Sequence, residues 1–149
     1  MRKQKFKLIF LFFAIVTVGC KDNPVENKET LVFRLDGVIE SLSGDCAGVQ
    51  VRTRSFGNLD LINTQKVKFN FSGMSDADLS SVSIYYILND EPVYLINLPD
   101  RDQINATNSI EVNSPGINAE LFLRVTLKSS VCTGQIFFLT FSDLKIYSK

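Results

Sequence analysis

The chain has 149 residues, with 16 Lys plus Arg against 16 Asp plus Glu, and it contains no His. Without His it cannot build a Ser-His-Asp or Cys-His nucleophile or a His-ligated zinc site. Four of the 16 basic residues lie in the first seven positions, which leaves 12 against 16 acids from Cys20 onward, a net charge of −4. An acidic body without a basic stripe argues against nucleic acid as a partner, and the length suits one domain.

Residues 1–19 are predicted to be a signal peptide. Residues 1–7 are basic, residues 8–18 are apolar, and the run ends at Gly19-Cys20, which is the architecture of a secretory signal. The uncharged stretch between Lys7 and Cys20 holds 12 residues. At ~1.5 Å per residue that is about 18 Å of helix, too short for a hydrocarbon core of ~30 Å. The segment therefore predicts export rather than a transmembrane helix.

Residues Thr17-Val18-Gly19-Cys20 resemble the lipobox of bacterial lipoproteins, with Thr17 where that family usually has an aliphatic residue. The resemblance implies cleavage before Cys20 and a diacylglycerol on the Cys20 thiol, with further acylation by a fatty acid such as palmitate. Two or more acyl chains anchor a protein stably, at about 0.8 kcal/mol per buried CH2. Lys21 resembles outer-membrane rather than inner-membrane sorting signals. The expected location is the bacterial cell envelope, at the periplasmic face or cell surface of the outer membrane, with the lipid bilayer as partner.

Residues 20–30 are predicted to be the lipidated cysteine and a flexible linker. The sequence KDNPVENKET at 21–30 is rich in charged residues and has no aromatic residue, a composition typical of solvated chain. Residues 31–149 then form the predicted domain.

Cys46 and Cys132 are predicted to form a disulfide. Each lies in a small-residue loop, SGDCAG or SSVCTG, just before an alternating apolar run, and an oxidising compartment permits the bond. Such a bridge predicts that segments 49–54 and 135–141 start side by side. Two free buried thiols or a metal pair are the alternatives, although no metal-ligand spacing is present.

From residue 31 onward the apolar residues alternate with a period of two, which predicts half-buried strands. The clearest segments are 31–36, 49–54, 66–71, 81–88 and 121–127. Shorter candidates at 37–42, 92–98 and 108–113 and closing runs at 135–141 and 144–148 give about nine short strands. The apolar residues on both faces of 137–141 predict a central strand; an edge offered to a partner is the alternative.

After the signal peptide, no window of 11 or more residues keeps the apolar stripe of a helix. Without helices to cover a parallel sheet, the expected fold is all-β: a single antiparallel β-sandwich of jelly-roll or immunoglobulin-like type. A closed barrel is the rival architecture.

One helical turn is predicted at residues 75–80, with Ser75 capping the amide of Asp78. Acidic residues in this segment and in a later loop could instead collect oxygens around Ca2+, although no Asp-x-Asp-x-Asp-Gly loop is present. These candidate calcium ligands are Asp76, Asp78, Asp100 and Asp102.

Two segments resemble the carbohydrate-associated or immunoglobulin-like sandwich domains of secreted bacterial proteins. Residues 73–88, GMSDADLSSVSIYYIL, give a short turn entering a Tyr-bearing strand, and residues 139–147, LTFSDLKIY, are similar to the last strands of jelly-roll sugar-binding modules. The likeness implies a sandwich fold and assigns no functional residue.

The first candidate function is a non-catalytic binding module for a glycan or an envelope protein. Tyr85 alternates with Ile84 and Tyr86, so its ring is predicted to point outward, and Tyr94 is placed similarly. Aromatic faces stack on sugars and partner side chains. The alternative is that Tyr85 simply covers a neighbouring strand.

Two other function classes remain. One is a structural or assembly subunit of an envelope complex or surface fibre. The other is a glycan-active enzyme with a carboxylate pair, but the glutamates outside the linker (Glu40, Glu91, Glu111 and Glu120) are scattered and form no recognisable motif. We therefore expect no catalytic activity and no cofactor.

Overall fold

The computed structural model describes residues 28–132 and 134–149, so the predicted signal peptide, the lipobox with Cys20 and most of the linker lie outside the described residues. The described chain forms eight strands and one short helix: β1 Thr30–Gly44, β2 Gln50–Asp60, β3 Lys66–Ser75, β4 Ser81–Leu88, β5 Glu91–Leu98, α1 Arg101–Ala106, β6 Ser109–Asn113, β7 Asn118–Leu127 and β8 Phe137–Ser148. Within this range, no helix has the length and apolar character needed to cross a membrane.

The strands form two four-stranded sheets in which every pairing is antiparallel. Sheet A has the order β1-β8-β3-β6 and sheet B has the order β2-β7-β4-β5. This alternation between sheets along the chain is the strand order of a jelly roll, in which two Greek keys wrap into a sandwich. The predicted antiparallel sandwich is confirmed, and of its two alternatives the jelly roll is the one observed.

The core lies between the sheets and is built from alternate residues of the central strands. The fully buried side chains of β3, β4, β7 and β8 include Val67, Phe69, Val82, Ile84, Leu121, Leu123, Val125, Leu139, Phe141, Leu144 and Ile146. Strand β8 lies between β1 and β3, which confirms that the apolar run 137–141 belongs to a central strand.

Eight strands are present instead of about nine because two apparent breaks are bulges. Segments 31–36 and 37–42 are both part of β1, and 144–148 continues β8. Gly37 has φ 78° and Asp143 has φ 56°, a left-handed conformation that glycine adopts freely and Asp tolerates. The Gly37 N–H donates to the Asp143 carboxylate at 2.9 Å. Both strands therefore bend together and continue.

The predicted helical turn at residues 75–80 is wrong. Residues 76–79 form bends and a turn rather than a helix. The Ser75 hydroxyl accepts from the Ala77 N–H at 3.2 Å instead of from Asp78, and it donates within a buried network that reaches β8. A side-chain bond two residues along the chain closes a tight turn, and this competes with helix formation.

The helix in the described chain is α1, and it was not predicted from the sequence. Its N-cap is Asp100, whose carboxylate accepts from the Gln103 N–H at 2.8 Å. Its one buried residue is Ile104, so no apolar stripe marks the segment. A Cβ on Gly73 of β3 would lie 3.0 Å from a side-chain carbon of Ile104, so the missing side chain lets α1 approach sheet A closely.

The Cys46–Cys132 disulfide is confirmed, with a Cα–Cα distance of 5.1 Å and a sequence separation of 86. Cys46 lies in the β1–β2 loop and Cys132 in the β7–β8 loop. The bridge brings together the loops from which β2 and β8 start, and these two strands belong to different sheets and do not pair with each other. The bridge joins two loops that each carry the chain from one sheet to the other.

Candidate functional site

The outer face of sheet B carries three aromatic side chains in one line. Phe122 of β7, Tyr85 of β4 and Tyr94 of β5 occupy directly opposed positions on neighbouring strands. The Tyr85 ring centroid lies 5.5 Å from that of Phe122, with 23° between the planes, and 5.6 Å from that of Tyr94, with 48°. We call these three residues the aromatic row.

The two predicted contact residues differ in exposure. Tyr85 points outward, since the residues on either side of it belong to the core, yet it is only 6% exposed because its neighbours cover it. The Arg124 guanidinium lies 5.5 Å from the Tyr85 ring centroid, and the two other rings pack beside it. Tyr94 is 48% exposed. Tyr94 is therefore the ring that a ligand can reach, and Tyr85 supports it.

A line of polar side chains runs beside the aromatic row, at the next outward-facing position of each strand. Thr53 of β2, Arg124 of β7, Ser83 of β4 and Asn97 of β5 are opposed in the same way. The Ser83 hydroxyl donates to the Asn97 amide oxygen at 2.9 Å, and the Asn97 amide N–H groups have no side-chain hydrogen bond within the described residues. We call these four residues the polar row.

The edge of this surface on β2 is also polar. Ser55 is opposed to Phe122, and its hydroxyl donates to the Glu120 carboxylate at 2.5 Å. The outer face of sheet B thus offers ring faces bordered by hydroxyl, amide, guanidinium and carboxylate groups. Such a surface can combine stacking with hydrogen bonding to the same ligand.

Phe122 and Arg124 were not predicted as site residues, although the sequence contains a signal for them. Both alternate with the core residues Leu121, Leu123 and Val125, so the period of two already places them on the outer face. What the sequence does not contain is the pairing of β4 with β5 and β7, which brings the three rings together.

The four aspartates considered as calcium ligands are occupied in other roles. Each carboxylate accepts a hydrogen bond from the protein: Asp76 from the Phe138 N–H at 2.7 Å, Asp78 from the Ser130 N–H at 2.9 Å, Asp100 from the Gln103 N–H at 2.8 Å and Asp102 from the Arg101 Nε at 3.0 Å. In the part of the chain that the structure describes, no three His, Cys, Asp or Glu side chains gather as metal ligands. Arg101 also lines the recess beside Asp76 and Asp78, and its positive charge opposes a cation there.

Asp78 fastens the β7–β8 loop to the β3–β4 loop. The Ser130 hydroxyl and the Ser130 backbone N–H both donate to its carboxylate, and these bonds hold the pKa of Asp78 at about 2, below its ordinary value of 3.8. Because the charged form is favoured in the folded state, the contribution of Asp78 to stability is present above pH 4 or so. It is lost as the pH falls toward about 2.

Asp78→Asn is therefore expected to reduce the fall in Tm between about pH 4 and pH 2, since one acid-sensitive contact is gone. Part of the fall remains, because bonds from Lys149 and Lys66 hold the pKa of Glu111 at about 2 as well. Thermal unfolding followed by circular dichroism across this range measures the effect. Asp102→Asn, which removes a carboxylate bonded to its neighbour Arg101, is the control. Identical pH profiles for wild type and Asp78→Asn contradict the assigned role.

No protein-family model and no curated protein matches this chain.

Proposed function

We propose that the protein is a lipid-anchored, non-catalytic binding module of the bacterial cell envelope that holds a glycan chain on the outer face of sheet B. The observation that supports the proposal is the exposed Tyr94 ring at the end of the aromatic row, with the polar row beside it. The apolar face of a sugar ring stacks on an aromatic ring, while its hydroxyls bond to polar side chains at the ring edge.

The composition of the surface favours a glycan over a protein partner. The centre of a protein interface is dominated by well-packed apolar anchors that are shielded from water. Here the exposed polar side chains of Asn97, on the same strand as Tyr94, and of Arg124, beside Tyr85, border the rings, so a ligand on Tyr94 has hydrogen-bonding groups next to the stacking surface. Tyr85 is held under Arg124 and between the other two rings, which fixes the platform before a ligand arrives and lowers the entropic cost of binding.

Tyr94→Ala is expected to weaken glycan binding about tenfold, which corresponds to ~1.4 kcal/mol, because the exposed stacking surface is removed. Tyr94→Phe keeps the ring and is expected to keep most of the affinity. The measurement is a glycan array followed by calorimetric titration with the neutral oligosaccharide that the array identifies.

Phe138→Ala is the matched control for Tyr94→Ala. It removes an aromatic side chain that is 38% exposed on the outer face of sheet A, so it tests whether loss of any exposed ring reduces binding. Binding that is absent from the array, or that is the same in wild type and Tyr94→Ala, overturns the proposal.

The anchor part of the proposal rests on Cys20, which lies outside the described residues. Cys20→Ala is expected to abolish incorporation of labelled palmitate and to release the protein from the membrane fraction, because the thiol is the acceptor of the lipid. Palmitate incorporation that persists in this variant contradicts lipidation at Cys20.

The edge strand β2 weighs against assembly by strand addition at this edge of sheet B. The exposed edge strand β2 carries Arg52 and Arg54, and its pairing with β7 shifts register between Ser55 and Gly57. Charged side chains and bulges are the devices by which sheet edges avoid pairing with other chains. A role as a fibre subunit therefore has less support than glycan binding.

The pKa values of three carboxyl groups argue against a role for these groups as the general acid of a glycosidase. A glycosidase needs a general acid whose pKa is raised. Hydrogen bonds from Lys149 and other donors instead lower the pKa values of Glu29, Asp78 and Glu111. Ionised carboxylates of this kind hold a structure together and do not donate a proton.

A further inference from the structure

A second surface, on the opposite sheet, carries a row of hydrogen-bond donors that the described residues only partly use. Arg34 of β1, Lys145 of β8, Asn70 of β3 and Ser109 of β6 are directly opposed across all four strands of sheet A. We call these four residues the donor row. Lys145, Asn70 and Ser109 line a trough of about 420 Å³ on the outer face of the sheet, a volume within the range of small-ligand sites, and Arg34 lies opposite Lys145 on β1 without lining the trough.

The donors of this row are only partly used inside the protein. The Asn70 amide oxygen accepts from the Ser109 hydroxyl at 2.7 Å, so the Asn70 amide N–H groups remain available. Arg34 uses only its Nε to bind Asp36, and its terminal amino groups have no partner among residues 28–132 and 134–149. Lys145 is half-buried in the central strand and has no ion pair or side-chain hydrogen bond within the same residues.

Lys145 is the cation of this row that has no ion pair within the described residues. Arg34 lies directly opposite it and is already paired with Asp36 at 2.8 Å, and Lys68, another cation of the trough, pairs with Glu29 at 3.2 Å. A bound anionic group would give Lys145 an ionic partner and would also accept from the terminal amino groups of Arg34, in charge-assisted hydrogen bonds.

The remaining walls of the trough indicate a ligand larger than a simple anion. Tyr147 presents a ring, and Ser72 and Asn108 present hydroxyl and amide groups. Asp143 also lines the trough, and its carboxylate accepts from the Gly37 N–H. An aromatic ring with the Lys68 ammonium 6.0 Å from its centroid, neutral polar groups and the Lys145 ammonium together complement a sugar that bears a negative charge.

We propose that the donor row binds the anionic group of an acidic oligosaccharide, with Lys145 and Arg34 on the charged group, Asn70 beside it and Tyr147 against the sugar ring. This site is separate from the aromatic row on sheet B and does not depend on it. Because the body of the protein carries a net negative charge, the attraction comes from this local row and is expected to weaken as salt screens it.

The test is calorimetric titration of the full chain, solubilised in detergent, with trigalacturonate and with the neutral galactotriose of the same linkage. The expected result is binding of the acidic sugar at least about tenfold tighter than binding of the neutral one. Lys145→Gln is expected to remove about tenfold of that affinity and Lys145→Arg to restore it. Lys128→Gln, at an exposed position directly after β7, is the control and is expected to bind like wild type.

Several results overturn the inference. These are equal affinity for acidic and neutral sugars, equal affinity in wild type and Lys145→Gln, or inorganic phosphate binding as tightly as trigalacturonate. Lys145-dependent binding to vesicles of anionic phospholipid with no binding of trigalacturonate also overturns it, because the ligand is then a lipid surface. If Tyr94→Ala loses neutral-glycan binding but keeps trigalacturonate binding, the result supports a site on sheet A that is independent of the aromatic row.

Discussion

Replacing Cys46 and Cys132 together by alanine is expected to lower the free energy of unfolding by about 4 to 5 kcal/mol. In the chain-entropy model, a cross-link over a separation of 86 residues removes a large part of the freedom of the unfolded chain. A domain of this size has a total stability of about 5 to 15 kcal/mol, so the loss is a large fraction of it. The change is expected to bring the variant close to the limit of folding at growth temperature.

The position of the bridge explains why loop entropy is the main effect. It joins the β1–β2 and β7–β8 loops, both of which cross between the sheets. The Cys46 side chain is half-buried at the margin of the core and Cys132 is exposed, so replacement by alanine removes little packing. The covalent constraint, more than the buried sulfur, is what the double variant loses.

Urea unfolding at 25 °C measures this effect. For an m-value of about 2 kcal/mol/M, the expected loss moves the midpoint down by roughly 2 M urea. Reduced wild-type protein is the matched control, because it breaks the bond without changing the sequence and is expected to unfold at the same urea concentration as the double variant. Oxidised and reduced wild type that unfold at one midpoint contradict the predicted contribution.

The period of two was sufficient to predict the sandwich, but not how many strands it contains. Alternation at 31–36, 81–88 and 121–127 is imposed by a buried inner face, and this is a local signal. The bulge at Gly37 and Asp143 interrupts the alternation in the same way as a turn does. Only the pairing of β1 with β8 reveals that both strands continue through it.

The sequence predicts the face of the sheet on which a site residue lies, but it does not predict which residues the strand pairing brings together. Alternation with its neighbours places the Tyr85 side chain on the outer face, as observed. Its burial depends on Phe122, Tyr94 and Arg124, which come from strands distant in sequence. The donor row likewise depends on strand pairing. Arg34, Lys145 and Asn70 are neighbours only because β1, β8 and β3 pair in this order and register.

Phe141→Ala is expected to lower the free energy of unfolding by about 3 to 5 kcal/mol, the usual range for a large buried aromatic side chain in a core. Phe141 is fully buried on the inner face of the central strand β8, and its ring stacks on Phe71 of β3 with centroids 5.1 Å apart. Truncation leaves a cavity between two strands of sheet A that the rigid, paired backbone cannot close. The cost therefore includes lost burial and lost contacts with the cavity walls.

The same strand supplies the control for Phe141→Ala. Phe138 lies three residues earlier on the opposite face and is 38% exposed, so Phe138→Ala is expected to cost about 1 kcal/mol or less. A double-mutant cycle with Phe71→Ala isolates the ring–ring contact, for which a coupling of about 0.5 to 1.5 kcal/mol is expected. Urea unfolding of the four proteins provides each value. If Phe138→Ala proves as destabilising as Phe141→Ala, the assignment of the two faces of β8 is wrong, and with it the face on which the donor row lies.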